Sequence, residues 1–383
     1  MTGSPSPFAQ PAPGLRVKPF VATLPRPTRD EIAAFPAEAR ALLDRIWAAQ
    51  VPLPETVGYN LHWIAGRHFL LAGGTGTGLG GSLATALLHH LDQIGSLTVI
   101  SRDLRRSVEF EMGAAMQERA EQAGQPEKVR WLNDGMALEG EGFEKIVATL
   151  RAQGAGRVIY VNAVAAAHSG VLPGMPPIFV KDFDEAGLFQ WELPPLSEKA
   201  VETTKFVMGT MATLFPLELE RAGIAVEATG FCDWRGSLDG CSRVPTNVEY
   251  GRQGPYSTSL YLPKTILQRA ASEAYRSGRR VIDVFLPLMK TRALFLIPGG
   301  RILWYVYSRL LRDAGIKRLD VPELGVAVLD LLGKALVERD DNPFPRLDTH
   351  EVALDLYFFE VLKRLNNDPA SEFYFLKWID EEA

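Results

Sequence analysis

The sequence predicts an α/β protein: a doubly wound, all-parallel sheet carrying extra helices toward its C-terminal end. Three observations predict it. Short apolar or β-branched runs alternate with helical stretches between His68 and Asn162. A glycine cluster, Gly73 to Gly81, stands directly between the first such run and the first such helix. A mainly helical remainder follows the last strand, and no segment repeats another. Parallel strands need long crossover connections, and helices between them supply these with a right-handed turn.

Met1 to Gly14 is rich in Pro, Ser and Gly and lacks a basic stretch ahead of an apolar run, so it does not read as a signal peptide. Residues 1–26 are expected to be disordered or extended, and a single large domain to run over 27–383. Thr28 to Gln50 predicts a helix. Thr28 caps it, Glu31 completes a capping box, and Leu42, Leu43, Ile46 and Trp47 form its apolar face. His68 to Ala72 predicts the first strand of the sheet, and Leu83, Leu87 and Leu88 mark the helix after the glycines.

Strands are predicted over Leu97–Ser101, Val129–Leu132 and Arg157–Asn162, with helices over Arg106–Ala123 and Gly142–Gln153 between them. The alternation stops over 168–195, where Pro173, Pro176, Pro177, Pro194 and Pro195 predict an inserted irregular loop. Helices are predicted over Ser197–Arg221, a strand over Ile224–Thr229, and irregular chain up to Leu262. The next helix is predicted over Pro263–Ser277, with Pro at its first position and Gly278 beyond its end. A strand follows over Arg280–Leu286, and 287–383 is expected to be a helical, substrate-binding region. Its most apolar run, Ala293 to Val306, is interrupted by Pro298, Gly299, Gly300 and Arg301, so no membrane span is predicted. A buried helix pair or the wall of a lipid-like substrate site suits it better.

Composition narrows the function classes. The 383 residues carry 41 Lys+Arg against 46 Asp+Glu, a net charge of −5, and show no basic tract with interleaved aromatics, so no nucleic-acid partner is expected. Cys232 and Cys241 are the only cysteines and form no metal-ligand spacing. The chain therefore reads as cytoplasmic, free of disulfides and without a metal, as a monomer or homodimer.

The glycine cluster carries the chemistry. A dinucleotide pyrophosphate needs backbone N–H groups at close range and a helix N-terminus aimed at it, and glycines permit that approach because no Cβ intervenes. Gly73, Gly74, Thr75, Gly76, Thr77, Gly78 and Leu79 are therefore expected to hold a dinucleotide, making the fold Rossmann-type; the alternative is an ordinary glycine-rich turn. Ser101 and Arg102 stand at the end of the second strand, where the adenosine ribose is expected. Arg102 suits the 2′-phosphate of NADPH, while the neighbouring Asp103 suits the 2′-hydroxyl of NADH, so NADPH is expected and NADH is possible. Asp134 is expected at the adenine, and Asn162 and Ala163 beside the cofactor, although each also serves as plain loop chemistry.

A reductase of this architecture needs an acid at the reacting oxygen. A tyrosine near a lysine supplies one, because the ammonium favours the tyrosinate and can bond the cofactor ribose. The candidates lie between Tyr250 and Lys264. Tyr261 is three residues before Lys264, but Leu262 precedes a proline and is pushed out of helical geometry, which separates the two faces. Tyr256, in the loop with seven residues between it and Lys264, is preferred; Tyr261 is the second choice, and a packing loop beside a solvated lysine the third.

Several stretches occur in a familiar order: Thr75-Gly76-Thr77-Gly78-Leu79, Lys205 to Gly209, Thr291-Arg292-Ala293 with Ile297-Pro298, and Arg309 to Gly315. In these the chain resembles the trans-2-enoyl-CoA reductases and the related long-chain bacterial enoyl-acyl-carrier-protein reductases, large members of the short-chain dehydrogenase superfamily. The resemblance runs from about residue 60 to near the C-terminus. It implies Tyr256 as the acid, Lys264 as the lysine ahead of Gln268-Arg269-Ala270-Ala271, Thr291 beside the cofactor, and an acyl site walled by Tyr261, Phe295, Leu296, Ile297 and Trp304. Four departures are visible. The pair is one residue closer than in the family, and Ala72 replaces the turn's opening glycine. Phe231 or Asp233 occupies the neighbourhood of a second active-site tyrosine, and Leu294 and Phe295 replace serines. The activity implied is NADPH-dependent reduction of the carbon–carbon double bond of an α,β-unsaturated acyl thioester, on coenzyme A or an acyl carrier protein, as in fatty acid or polyketide metabolism. A ketoreductase of the same fold and a non-catalytic dinucleotide sensor are the rivals.

Overall fold

The computed structural model describes residues 10–20, 29–49, 59–76, 78–101, 108–164, 170, 171, 173, 174, 176–184, 186–234, 261–287, 298–316, 319–338, 342–345 and 347. Among these, β1 spans Arg16–Pro19, α1 Arg29–Ala49, β2 His68–Ala72, α2 Leu79–His89, β3 Ser96–Ile100, α3 Val108–Gln122, β4 Val129–Leu132, α4 Gly140–Ala152 and β5 Arg157–Asn162. Then come β6 (Ile178–Asp184), β7 (Gly187–Leu193), α5 (Glu198–Lys205), α6 (Met211–Arg221) and β8 (Ala225–Trp234). The C-terminal elements are α7 (Tyr261–Arg276), β9 (Val281–Leu286), α8 (Gly300–Asp313) and α9 (Val321–Gly333).

Six strands form one parallel sheet in the order β4-β3-β2-β5-β8-β9, the doubly wound fold that the alternation predicts. The strands read as continuous apolar runs because both of their faces are covered. On one face Phe69, Leu71 and Val99 pack against Leu83 and Leu87 of α2, Met112 of α3 and Val328 of α9. On the other, Leu70, Ile100 and Tyr160 pack against Ile146 and Leu150 of α4, Phe215 of α6 and Leu267 of α7. A single row crosses the C-terminal edge of the sheet in register: Leu132, Ile100, Ala72, Asn162, Phe231, Asp283. The chain reverses its winding direction between β2 and β5, and open α/β sheets bind ligands outside the strand ends at such a point.

Several expectations are corrected. The stretch over 168–195 is not an irregular loop throughout: β6 and β7 form an antiparallel hairpin, and β1 joins β7 in parallel, giving a second sheet in the order β1-β7-β6. The hairpin docks on α8, where Asp182 Oδ2 accepts from Trp191 Nε1 at 2.9 Å and from the Gly299 N–H at 3.1 Å. The helical stretch expected over Ser197–Arg221 is α5 and α6, joined by a π turn, Phe206–Thr210, that was not expected. The strand expected to end at Thr229 continues to Trp234. Finally, α7 begins at Tyr261, two residues before the expected Pro263. Proline is tolerated there because the first N–H groups of a helix have no intrahelical acceptor, so Pro263 forfeits no hydrogen bond. Thr28 lies outside the described residues, as do the side chains of Glu31 and Trp47 and residues 288–297.

Candidate functional site

The glycine turn leaves β2 at the switch point. Gly73 has φ 84°, the left-handed region that favours glycine. A Cβ there would lie 2.9 Å from the backbone carbon and oxygen of Ala163, which follows β5. Two backbone hydrogen bonds fix the approach: the Gly73 N–H donates to Ile100 O at 2.8 Å, and the Ala163 N–H to Ala72 O at 2.9 Å. The first turn of α2 is pressed onto the same loop. A Cβ on Gly80 would stand 2.0 Å from Gly73 O, and one on Gly81 2.0 Å from Gly76 O. Gly76 itself is open, with nothing nearer than 3.9 Å.

The start of α2 has no side-chain cap and no acidic residue in its first turn, and Gly78 stands at its N-cap. Unclaimed N–H groups and the positive end of the helix suit an anion. Thr75 and Leu79 are buried beside it, and Thr77 lies outside the described residues. Behind this turn Ser82 Oγ accepts from the Gly325 N–H at 3.1 Å and donates to Pro322 O at 2.9 Å. A Cβ on Gly325 would meet that oxygen at 2.4 Å, so α9 buttresses α2 at close range. Sequence reasoning missed this support; a lone glycine in the apolar run of α9 was its signal.

The neighbouring candidates are placed as follows. Ser101 is buried, and its Oγ accepts from Trp131 Nε1 at 2.8 Å. Asn162 Nδ2 donates to Tyr160 Oη at 2.9 Å, and its Oδ1 accepts from the Val164 N–H at 3.0 Å, so this side chain shapes the turn after β5. Asp134 is exposed and ion-paired with Lys145. Trp304 is half-buried on α8. Arg102, Tyr256, Thr291, Phe295 and Ile297 lie outside the described residues, as does the side chain of Tyr261.

Lys264 is not solvated. It is buried in the first turn of α7, with Nζ 3.1 Å from Oδ1 of Asp233, which is buried near the end of β8. The π turn sets this helix in place: a Cβ on Gly209 would be 3.0 Å from Cα of Pro263. Asp283, fully buried on β9, faces the same side of the sheet as Asp233. Burial and the Asp233 charge raise the Asp283 carboxyl well above the usual carboxylate range, and Lys264 pulls it partly back. An acid in the middle of the apolar run Val281–Leu286 was the legible signal for this residue, because acids are rarely buried without a partner. Asp233 lies on β8, the strand next to β5, two residues past Phe231, the register partner of Asn162.

No family model matches the chain. No curated protein matches it in sequence. Among solved structures, the fold is shared with trans-2-enoyl-CoA reductase from Clostridium acetobutulicum in complex with NADH, at TM-score 0.62 and 13% identity, covering 97% of this chain and 90% of that one. The complex of that reductase with NAD gives 0.60 over 87% and 86%, also at 13% identity. The trans-2-enoyl-CoA reductase of Treponema denticola in complex with NAD gives 0.59 at 14% identity, covering 94% and 91%. The fold expected from the motif resemblance is therefore the fold found. No helix among the described residues is long and apolar enough to cross a membrane.

Proposed function

We propose that this protein is an NAD(P)H-dependent oxidoreductase, and that it uses NADPH to reduce the double bond of an α,β-unsaturated acyl thioester carried on coenzyme A or an acyl carrier protein. One observation carries the reading. The uncapped, acid-free first turn of α2 is packed against Gly73 at the switch point, in a fold shared along most of its length with reductases solved with NADH and NAD. The cradle fits a dinucleotide: Gly73 and Gly80 let the turn and α2 close on each other, and Gly76 leaves space beside it that no protein atom fills.

A bound nicotinamide dinucleotide supplies hydride. The chain's own residues bind, orient and donate. The backbone of Gly76, Gly78 and Leu79 receives the pyrophosphate, and Arg102 takes the 2′-phosphate that separates NADPH from NADH. Lys264 holds the ribose hydroxyls and lowers the proton affinity of Tyr256. The Tyr256 hydroxyl donates to the thioester oxygen, which gains charge as the double bond is reduced; a donor aimed at developing charge stabilises the transition state more than the ground state. Tyr261, Phe295, Ile297 and Trp304 line the acyl chain. Since Tyr261 belongs to α7, it and Lys264 stand at i and i+3 of one helical turn, which makes it a stronger second choice for the acid than the proline rule suggested.

The test is turnover of the purified protein with crotonyl-CoA and with acetoacetyl-CoA, each with NADPH and NADH, with products identified by mass spectrometry. The expected result is butyryl-CoA from crotonyl-CoA, with kcat/KM for NADPH about 10-fold or more above that for NADH, the scale of a charge-assisted hydrogen bond to the 2′-phosphate. Reduction of acetoacetyl-CoA alone, or oxidation of neither cofactor, overturns the reading.

A further inference from the structure

One buried acid has no part in the reaction outlined above. Asp182 lies on the face of β6 that also carries Ile178 and Val180, in a layer completed by Leu193 and Val171. A carboxylate belongs in such a layer only when its oxygens are satisfied. Here they are. Oδ1 accepts from the Phe183 N–H at 2.9 Å, and Oδ2 from Trp191 Nε1 at 2.9 Å and from the Gly299 N–H at 3.1 Å. The donors belong to β6, to β7 and to the residue ahead of α8, so one side chain ties three parts of the chain together. The Trp191 ring is itself held edge-on by Phe189 at 4.8 Å and by Phe20, just past β1, at 5.6 Å.

The tie ends at a helix start. Gly299 has φ 73°, and α8 follows at Gly300 with no acidic residue in its own first turn. The first N–H groups of a helix lack intrahelical acceptors and carry partial positive charge, so a carboxylate is favoured there. Asp182 supplies it from 117 residues away. A second clasp stands beside the first. Arg301 Nη1 donates to Phe183 O at 3.1 Å, its guanidinium covers the Phe183 ring at 5.8 Å, and the Tyr305 ring meets that ring at 5.7 Å. Burying a carboxylate is costly, and an apolar residue would serve packing alone. What the carboxylate adds is direction, because hydrogen bonds are directional and apolar contact is not.

We propose that Asp182 is a positioning residue for the acyl site: with the Phe183 clasp it fixes where α8 begins and how the helix is turned, and so where Trp304, between Arg301 and Tyr305, meets the acyl chain. The acyl chain in this statement rests on the functional reading above; the anchoring of α8 does not. Substrates too short to reach α8 are indifferent to the anchor, and long ones depend on it.

The experiment measures kcat and KM of the full chain with trans-2-enoyl-CoA substrates of about four to about twelve carbons, in the parent, Asp182→Leu and Asp182→Asn. Leucine preserves an apolar layer but accepts nothing, whereas the asparagine oxygen can still accept from Trp191 and Gly299. Asp182→Leu should raise KM for the longest substrate about tenfold, the scale of one charge-assisted hydrogen bond, with kcat within about twofold. KM for crotonyl-CoA and the affinity for NADPH should stay within about twofold of the parent's. Asp182→Asn should fall between Asp182→Leu and the parent. A uniform fall in kcat at every chain length with KM unchanged is what a merely structural role produces, and it overturns the proposal, as does an unchanged length profile. Amide exchange gives a readout independent of turnover: in Asp182→Leu it should quicken about tenfold along α8 and stay as in the parent along α2. Unchanged α8 exchange overturns the anchor. If the parent reduces no enoyl thioester, the functional reading fails and the acyl step with it, while exchange still decides the anchor. If Asp182→Leu does not fold, Arg301→Met carries the test, since Arg301 is exposed. Loss of its clasp should raise the long-chain KM about threefold, and an unmoved KM overturns the acyl role.

Discussion

The two halves of the sheet's C-terminal edge are built on opposite principles. From β2 to β5 the edge is shaped by what is missing: Gly73, Gly80 and Gly81 each stand where a single methyl group would strike backbone. From β8 to β9 it is shaped by what is added, an ammonium and two carboxylates set into an otherwise apolar core. Clashing methyl groups and mispaired charges destabilise by different routes. A glycine-shaped cradle fails locally, through backbone displacement, whereas a buried ion cluster fails by leaving a charge without its counterpart. The comparison teaches that the first half is held by close backbone approach and the second by a buried ion pair, so each half breaks under a different kind of substitution.

The largest expected effect is in the charged half. Lys264→Met leaves Asp233 buried without its cation and should cost about 3–5 kcal/mol in denaturant unfolding, with Lys264→Met/Asp233→Leu recovering most of it. A single-variant cost below about 1 kcal/mol would show that the cluster is not an integrated ion pair and would erase the contrast between the halves. Next come the glycines. Gly80→Ala forces a methyl onto Gly73 O and should cost about 1–3 kcal/mol together with dinucleotide binding. Gly76→Ala meets nothing nearer than 3.9 Å and should leave stability within about 0.5 kcal/mol, yet weaken NADPH about tenfold, because a ligand rather than the fold needs that space. Equal melting points for Gly80→Ala and the parent, or unchanged NADPH affinity in Gly76→Ala, would break the shape argument. The smallest effect belongs to neither half. Asp184, bridged by Lys18 at 2.5 Å and Arg16 at 2.9 Å, is held at about 2, so its tie to β1 is complete above the ordinary carboxylate value and is lost as pH falls toward about 2. Asp184→Asn should speed amide exchange at Val17 and Lys18 near neutral pH while leaving the global melting point in place. Unchanged exchange would show that the exposed bridge does nothing for β1.

How much of this was legible depends on sequence distance. Val129–Leu132 and Arg157–Asn162 were read with their observed bounds, because each apolar run is enclosed by polar or glycine-rich chain. The glycine turn was legible because its residues are consecutive and its constraint is local. The β6–β7 hairpin was hidden twice. Prolines around it read as loop, and the buried Lys181 and Asp182 spoil the apolar alternation of β6. The π turn left no trace, since Phe206–Thr210 suits any helix, and only the contact of Gly209 with α7 explains its place. Lys264 was singled out for its chemistry, but its ion-pair partner was not read. Its true surroundings come from Asp233, 31 residues before it, and no local pattern reports such a pairing. The start of α7 was misplaced because a dipeptide preference was weighed above the freedom of a helix's first turn.

The parallel pairing of β1 with β7 sets an order in time. Arg16 lies opposite Phe189, so the N-terminal strand is made 173 residues before its partner. At roughly 5–20 residues per second the ribosome needs about 9–35 s to cover that distance. Throughout that interval Arg16, Val17 and Lys18 have no strand to join, and by its end the glycine-turn strands β2 to β5 have all been made. The second sheet can therefore close as soon as β7 is made, before β8 and β9 complete the larger one. Its closure depends on how fast the hairpin appears, so a pause before residue 193 lengthens the period in which β1 is exposed to other edges.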